Sequence, residues 1–174
     1  AALIPTADGW SIVSGEGGHA SISPITAMEV AVVQQVSLEL GYCSAESLLS
    51  GPGIERIYAT LGRLTKRVAP LSTAAEITSA AAKDDSLASD AQAMFFSLLG
   101  TTAGNLALTV NAQGGVFIAG GIVPKIADAF EDSEFREQFN NKGRYREFMT
   151  AMPTFLIVEP QPAFLGLRKL LGYA

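Results

Sequence analysis

The sequence predicts a mixed α/β protein, a sheet packed by helices. Three observations lead there. Residues 1 to 23 alternate short β-prone runs with glycine-rich turns. Apolar positions at helical spacing then fill residues 26 to 110. Finally, the run from Gly114 to Pro124 reads as a short strand, a glycine pair and the start of a helix, with a second clear strand at Thr154–Val158. A β meander, several helices and then β-α-β-α is the order of a mixed sheet with flanking helices.

Ala1–Ile4 and Trp10–Val13 are the first expected strands, joined by a hairpin turn at Ala7-Asp8-Gly9 with its Asp-Gly signal. A strand at residue 1 needs a neighbour and a preceding turn, so the chain reads as a piece of something longer. Gly15-Glu16-Gly17-Gly18 is a loop, Ala20–Ile22 a candidate third strand, and Ser23-Pro24 ends the meander. Thr26-Ala27-Met28-Glu29 has capping-box spacing and opens a helix with Val32, Val33, Val36 and Leu40 on its apolar face; Gly41 stops it. Ser44 caps a short helix through Leu49, and Gly51-Pro52-Gly53 is expected to force a break before helix resumes from Ile54 to about Thr65. Ile54, Ile57, Tyr58 and Leu61 share one side of it. Thr73-Ala74-Ala75-Glu76 repeats the capping box before a short Ala-rich helix.

A long helix is expected from about Ser86 to Val110. Ala103, Gly104 and Ala107 give it a face of small residues that another backbone can approach closely. Val116, Phe117 and Ile118 suit a strand covered on both faces. Pro124 fits the first turn of a helix running to about Phe130. Ser133 caps a further helix carrying Phe135 and Phe139. Lys142, Arg144 and Arg146 form a basic surface patch, and Pro162 starts a final helix through Leu171.

Of the 174 residues, 48% are hydrophobic and 17% charged, enough for one globular domain with a substantial core. Formal net charge is −5 with no basic block, which argues against nucleic acid as a partner. Cys43 is the single cysteine, so an internal disulfide and a Cys-rich metal site are excluded; this fits a reducing cytoplasm. His19 is the single histidine, which argues against a His-based zinc site and against a Ser-His-Asp triad. Ala91–Pro124 contains no charge, yet Thr101, Thr102, Asn105, Asn111 and Gln113 interrupt it and Gly114-Gly115 divides it. A buried helix feeding a buried central strand is the expectation, not a membrane span. No signal peptide is expected, since Ala1-Ala2-Leu3-Ile4-Pro5 lacks the basic segment that one carries. A Gly-x4-Gly-Lys-Ser/Thr phosphate loop is likewise missing from the sequence.

Two segments point to chemistry. In Gly15-Glu16-Gly17-Gly18-His19 the glycines expose a carboxylate and bring an imidazole to the same turn. A carboxylate accepts from two neighbouring hydroxyls while an imidazole both donates and accepts, which suits a sugar. The residues alone slightly favour a turn with a solvated Glu and a hydrogen-bonded structural His. Gly120 and Gly121 let the backbone turn sharply so that a flat ligand can lie against it, beyond a strand's C-terminal end where α/β sheets hold nucleotides. Spacing alone favours a tight turn that binds nothing. Glu46, in the first turn of its short helix, by itself only favours the helix dipole.

Gly15 through His19, Ser44 through Gly53 and Gly114 through Pro124 occur in order, and together they closely resemble the C-terminal portion of bacterial glucokinase. Asn105-Leu106-Ala107-Leu108 and Pro162 through Gly166 also match that family's pattern, so the resemblance covers nearly the whole chain. It implies the fold of a ribonuclease H-like/actin-like ATPase domain. Residues 1–174 would then be one domain, the large C-terminal domain of a sugar kinase whose small N-terminal domain lies outside this sequence. The implied reaction is ATP + D-glucose to ADP + glucose 6-phosphate, with Mg²⁺. Glu16 would hydrogen-bond glucose hydroxyls, His19 would contact the sugar from the other side of the turn, and Glu46 would be the second carboxylate on the ring. Gly120 and Gly121 would line the adenine side of the ATP site. The family's catalytic Asp and phosphate loop belong to the small domain, so no catalytic residue is assigned here and the chain alone is expected to be inactive.

A cytoplasmic homodimer is the implied assembly, and the small-residue and apolar helix faces would permit pairing. The related repressor/kinase group carries a cysteine-rich zinc motif after its equivalent turn, which a chain with only Cys43 cannot match; His19 is therefore expected to touch sugar, not zinc. Two alternatives stand beside this reading: a non-catalytic sugar-binding or dimerisation module, and a kinase for another hexose.

Overall fold

The computed structural model describes residues 1–7 and 9–172. Strands β1 (Ala2–Thr6) and β2 (Gly9–Val13) pair antiparallel, Ala2 opposite Val13 and Thr6 opposite Gly9. The expected turn between them includes Asp8, which lies outside the described residues. A single 3₁₀ turn follows at Gly17–His19. The candidate third strand at Ala20–Ile22 does not form; only Ser21 makes a bridge, to Ser44. Pro24 cannot extend a ladder, and the capping box that follows commits the chain to helix.

Five helices come next: α1 (Ala27–Leu40), α2 (Ala45–Leu48), α3 (Gly51–Thr65), α4 (Ala74–Ala81) and α5 (Ser86–Val110). Thr26 and Glu29 form the expected reciprocal cap of α1, and Gly41 ends it at φ +80°. Val32 and Val36 are fully buried, while Leu40 in the last turn is half exposed. Gly51-Pro52-Gly53 does not break the helix but begins it. Ser50 Oγ accepts the Gly53 N–H at 3.1 Å, and Pro52 sits in the first turn, where its missing N–H leaves nothing unpaired. Ile54, Ile57, Tyr58 and Leu61 are all buried on one side of α3.

The core is built around α5, which packs against α3, α4 and α7 (Phe135–Asn140). Leu87, Ala88, Ala91, Phe95, Phe96 and Leu98 are all but inaccessible to solvent. Each large apolar side chain so buried contributes about 1.5–3 kcal/mol before the entropy of ordering is subtracted. Phe96, Phe130, Phe135 and Phe139 form a chain of ring contacts through this interface, with successive centroids 5.5, 4.7 and 6.1 Å apart. Helix α5 is long and apolar enough to cross a membrane, but half of its most apolar stretch is buried inside the protein.

The small-residue face of α5 has an intramolecular partner. A Cβ placed on Gly104 would lie 2.6 Å from the Phe139 carbonyl oxygen, and one on Gly100 would strike the Phe135 carbonyl. That face is thus occupied by α7 and is not free for a second copy of the chain.

Strand β3 (Val116–Ile118) pairs parallel with β4 (Thr154–Leu156), Phe117 opposite Phe155. Among the described residues the strands form these two pairs, one antiparallel and one parallel. The expectation that β3 is covered on both faces fails. Ile118 is buried, but Phe117 is 63% exposed and stacks on Phe155 at 4.8 Å. No described helix covers that side.

Between the parallel strands lie a 3₁₀ turn at Val123–Ile126, α6 (Ala127–Glu131), α7, and α8 (Arg146–Ala151). The expected helix from Pro124 to Phe130 is thus divided, with its first turn wound more tightly. Ser133 is not the cap of α7 that the sequence suggests: Glu134 occupies that position, and Ser133, one residue earlier, accepts the Phe135 N–H at 3.2 Å and donates to the Phe130 carbonyl at 2.6 Å. The supposed basic patch is engaged by neighbours. Lys142 donates to the Thr101 and Gln138 carbonyls, and burial lowers its pKa. Arg146 pairs with both oxygens of Glu137, and Arg144 lies over the Tyr145 ring. Helix α9 (Pro162–Leu170) ends the described chain with every residue exposed.

Candidate functional site

The turn that carries Glu16 and His19 is held by backbone and by one neighbouring helix. The Glu16 carbonyl accepts the His19 N–H at 2.9 Å, which closes the 3₁₀ turn and puts both side chains on it. The Glu16 carboxylate takes no part in capping that turn, and the residue is exposed. Leu106 of α5 supports the turn from below: a Cβ on Gly17 would come 3.2 Å from its Cδ2.

Glu46 comes from a distant stretch of sequence. Ser44 caps α2 by accepting the Ser47 N–H, which places Glu46 in the first turn of the helix. The Ala45 N–H donates to the Ala20 carbonyl at 2.9 Å and fastens the start of α2 beside the end of the Gly17–His19 turn. Arg56 of α3 donates to the Ser47 carbonyl at 3.0 Å and steadies α2 from the other side. The outcome is direct: His19 Nε2 and Glu46 Oε2 are 3.3 Å apart, with side chains 65% and 59% exposed. A pair so exposed contributes roughly 0–1 kcal/mol to folding, so stability gives little reason for its placement. Its donors and acceptors remain open to a ligand from solvent.

Gly120 and Gly121 lie immediately past β3. Gly120 has φ +136°, a backbone conformation that L side chains rarely adopt, and nothing lies within 4 Å of where a Cβ on either glycine would be. The peptide surface there is bare and approachable. The structure therefore joins His19 to Glu46, keeps Glu16 on the same turn as His19, and sets Gly120 and Gly121 on a separate turn. Helix α5 links the two regions, since Leu106 touches the first and the chain leaving its C-terminus forms β3 before the second.

A family model described as glucokinase matches residues 1–173. The chain belongs to the glucokinase family. The glucokinase of Paramagnetospirillum magneticum is 42% identical over 171 residues, 97% of this chain and 53% of the relative. The glucokinase of Nitrobacter hamburgensis is also 42% identical, with the same shares covered. Among solved structures, a glucokinase from an Antarctic psychrotroph has a TM-score of 0.89 at 30% identity, covering 98% of this chain and 53% of that one. A Balamuthia mandrillaris glucokinase solved with glucose has a TM-score of 0.78 at 20% identity, covering 91% and 46%, and shows likeness of fold alone. The chain spans about half the length of the curated relatives it matches. The actin-like ATPase fold that the resemblance implied is borne out by these neighbours.

No group of three or more His, Cys, Asp or Glu among the described residues could hold an ion. A cleft of about 390 Å³ lies elsewhere, bounded by Thr26, Glu29, Leu61, Arg67, Asp90 and Ser97 among others. The Glu29 carboxylate in its wall is fully engaged, accepting the Ile25 and Thr26 N–H groups and the Ser97 hydroxyl, and anchors α1 to α5. Cys43 beside α2 is buried, and burial pushes its thiol pKa up, which leaves it an inert packing group.

Sequence reasoning missed Leu106 and Tyr42 as supports of the His19 turn. The short helix after Ser44 was legible, but contacts 89 and 23 residues away along the chain carry no local signal.

Proposed function

We propose that this chain forms the sugar-binding and purine-binding part of an ATP-dependent glucokinase, which converts ATP and D-glucose to ADP and glucose 6-phosphate. The observation that carries the reading is the exposed His19–Glu46 pair at 3.3 Å with Glu16 on the same turn as His19. Two carboxylates accept hydrogen bonds from neighbouring sugar hydroxyls, and the imidazole adds a donor or an acceptor between them. Oriented in this way, the sugar loses its rotational freedom before it reacts, a large part of what phosphoryl transfer needs from a protein. Gly120 and Gly121 offer a bare backbone against which a purine lies flat. Mg²⁺ would enter with the nucleotide phosphates, as it commonly does in kinases. The base that takes the proton from the sugar hydroxyl comes from outside residues 1–174, so the chain alone does not turn over. The working protein is read as a cytoplasmic homodimer.

Glu16→Ala or Glu46→Ala, placed in a complete kinase carrying this chain, is expected to raise KM for glucose at least tenfold, the loss of hydrogen bonds to a charged acceptor. An unchanged KM in both would remove the sugar assignment. A coupled assay on residues 1–174 alone is expected to give no glucose-dependent ADP release.

A further inference from the structure

Tyr42 stands in the loop between α1 and α2, 23 residues from His19, and reaches back across that interval. Its hydroxyl donates to the His19 carbonyl at 3.2 Å and lies 2.8 Å from Ser21 Oγ. A phenol has one proton. With that proton on the His19 carbonyl, the phenol oxygen accepts the proton of Ser21, and a relay runs from Ser21 through Tyr42 to the His19 peptide. The Ala45–Ala20 and Ser21–Ser44 backbone links hold the segment after the turn. The Tyr42 hydroxyl holds the carbonyl of His19 itself. Tyr42 is 52% exposed, so its ring adds little to the core and the hydroxyl contact is its distinguishing feature.

We propose that Tyr42 is a positioning residue for the sugar. By fixing the His19 peptide it sets the imidazole beside Glu46, and so holds in register the groups that meet the substrate. The inference rests on the reading of Glu16, His19 and Glu46 as sugar contacts.

Tyr42→Phe keeps the ring and removes the relay. In a complete glucokinase carrying this chain it is expected to raise KM for glucose about three- to tenfold, the worth of one hydrogen bond, and to move KM for ATP less than twofold. In a His19→Ala background the same change is expected to add nothing. Ser21→Ala, which removes the other leg of the relay, should shift KM for glucose in the same direction. Equal rises in both KM values, or a full further rise on top of His19→Ala, would overturn the proposal, as would a silent Tyr42→Phe where His19→Ala raises KM. If His19→Ala itself leaves KM for glucose unchanged, the sugar reading fails, and the positioning of the ring is then judged alone. The 174-residue chain has one histidine and therefore one imidazole Hε1 signal in its NMR spectrum. A shift of that signal and faster exchange of the Ala45 amide in Tyr42→Phe support the positioning; an unmoved spectrum overturns it.

Discussion

At Gly104 a single added carbon would sit 2.6 Å from the Phe139 carbonyl oxygen and 2.7 Å from Lys142 Cε. The lysine stem can swing away, but the carbonyl belongs to the backbone of α7 and cannot without moving that helix. Gly104→Ala is therefore expected to destabilise the protein by about 1–3 kcal/mol despite its better helix propensity, read as a lower urea midpoint at unchanged slope. A midpoint at or above that of wild type would show that α7 is free to shift. The small-residue face was legible in the sequence because Ala103, Gly104 and Ala107 recur at helical spacing. Its partner was not, since nothing in that spacing distinguishes contact with α7 from contact with another molecule. The same limit applies to His19 and Glu46. Their motifs marked each of them, while the 3.3 Å between them depends on backbone links that only the folded chain reveals.

Helix starts were the most readable elements because their signals are local. Thr26 with Glu29 and Thr73 with Glu76 both form the reciprocal caps their spacing predicts. The second has a measurable pH signature. Glu76 accepts the Ser72 and Thr73 N–H groups at 3.1 and 3.0 Å, and these bonds lower its pKa from the usual 4.5. A carboxyl depressed in the folded state stabilises that state above its unfolded pKa and loses the contribution as pH falls through the folded one. Wild type should thus be more stable than Glu76→Gln at pH 7, with the gap closing as pH drops below 4.5; a gap that persists unchanged at pH 3 would contradict the cap's dependence on charge. Gly51-Pro52-Gly53 misled because the same residues that interrupt a helix interior are tolerated in its first turn, and Ser50 decides which applies. The exposure of Phe117 was illegible, since a run of three apolar residues suits a strand buried on one face or on two.

Across the whole molecule, apolar side chains remain uncovered toward both ends of the sequence. Leu3, Trp10 and Ile12 on the β1–β2 hairpin and Phe164, Leu165, Leu167 and Leu170 on α9 are each more than half exposed. Surfaces of that kind associate. Light scattering on the 174-residue chain is expected to give an apparent mass that rises with concentration, and a constant monomer mass would count against it. The overall order of elements was legible from turn and cap residues, and the family from three motifs taken together. The separation of the strands into two pairs was not, because strand runs carry no label for their partners. Helix α5 leads from the turn that carries His19 to the strand before Gly120 and Gly121. Leu106, under the turn that carries His19, and Val110, where the chain departs toward Gly120 and Gly121, are a single helical turn apart. An insertion of one residue between them would swing everything downstream by about 100° around the rod axis. The placement of the His19 turn relative to the Gly120 turn is thus indexed by four residues of one helix, far less chain than the distance between the motifs suggests.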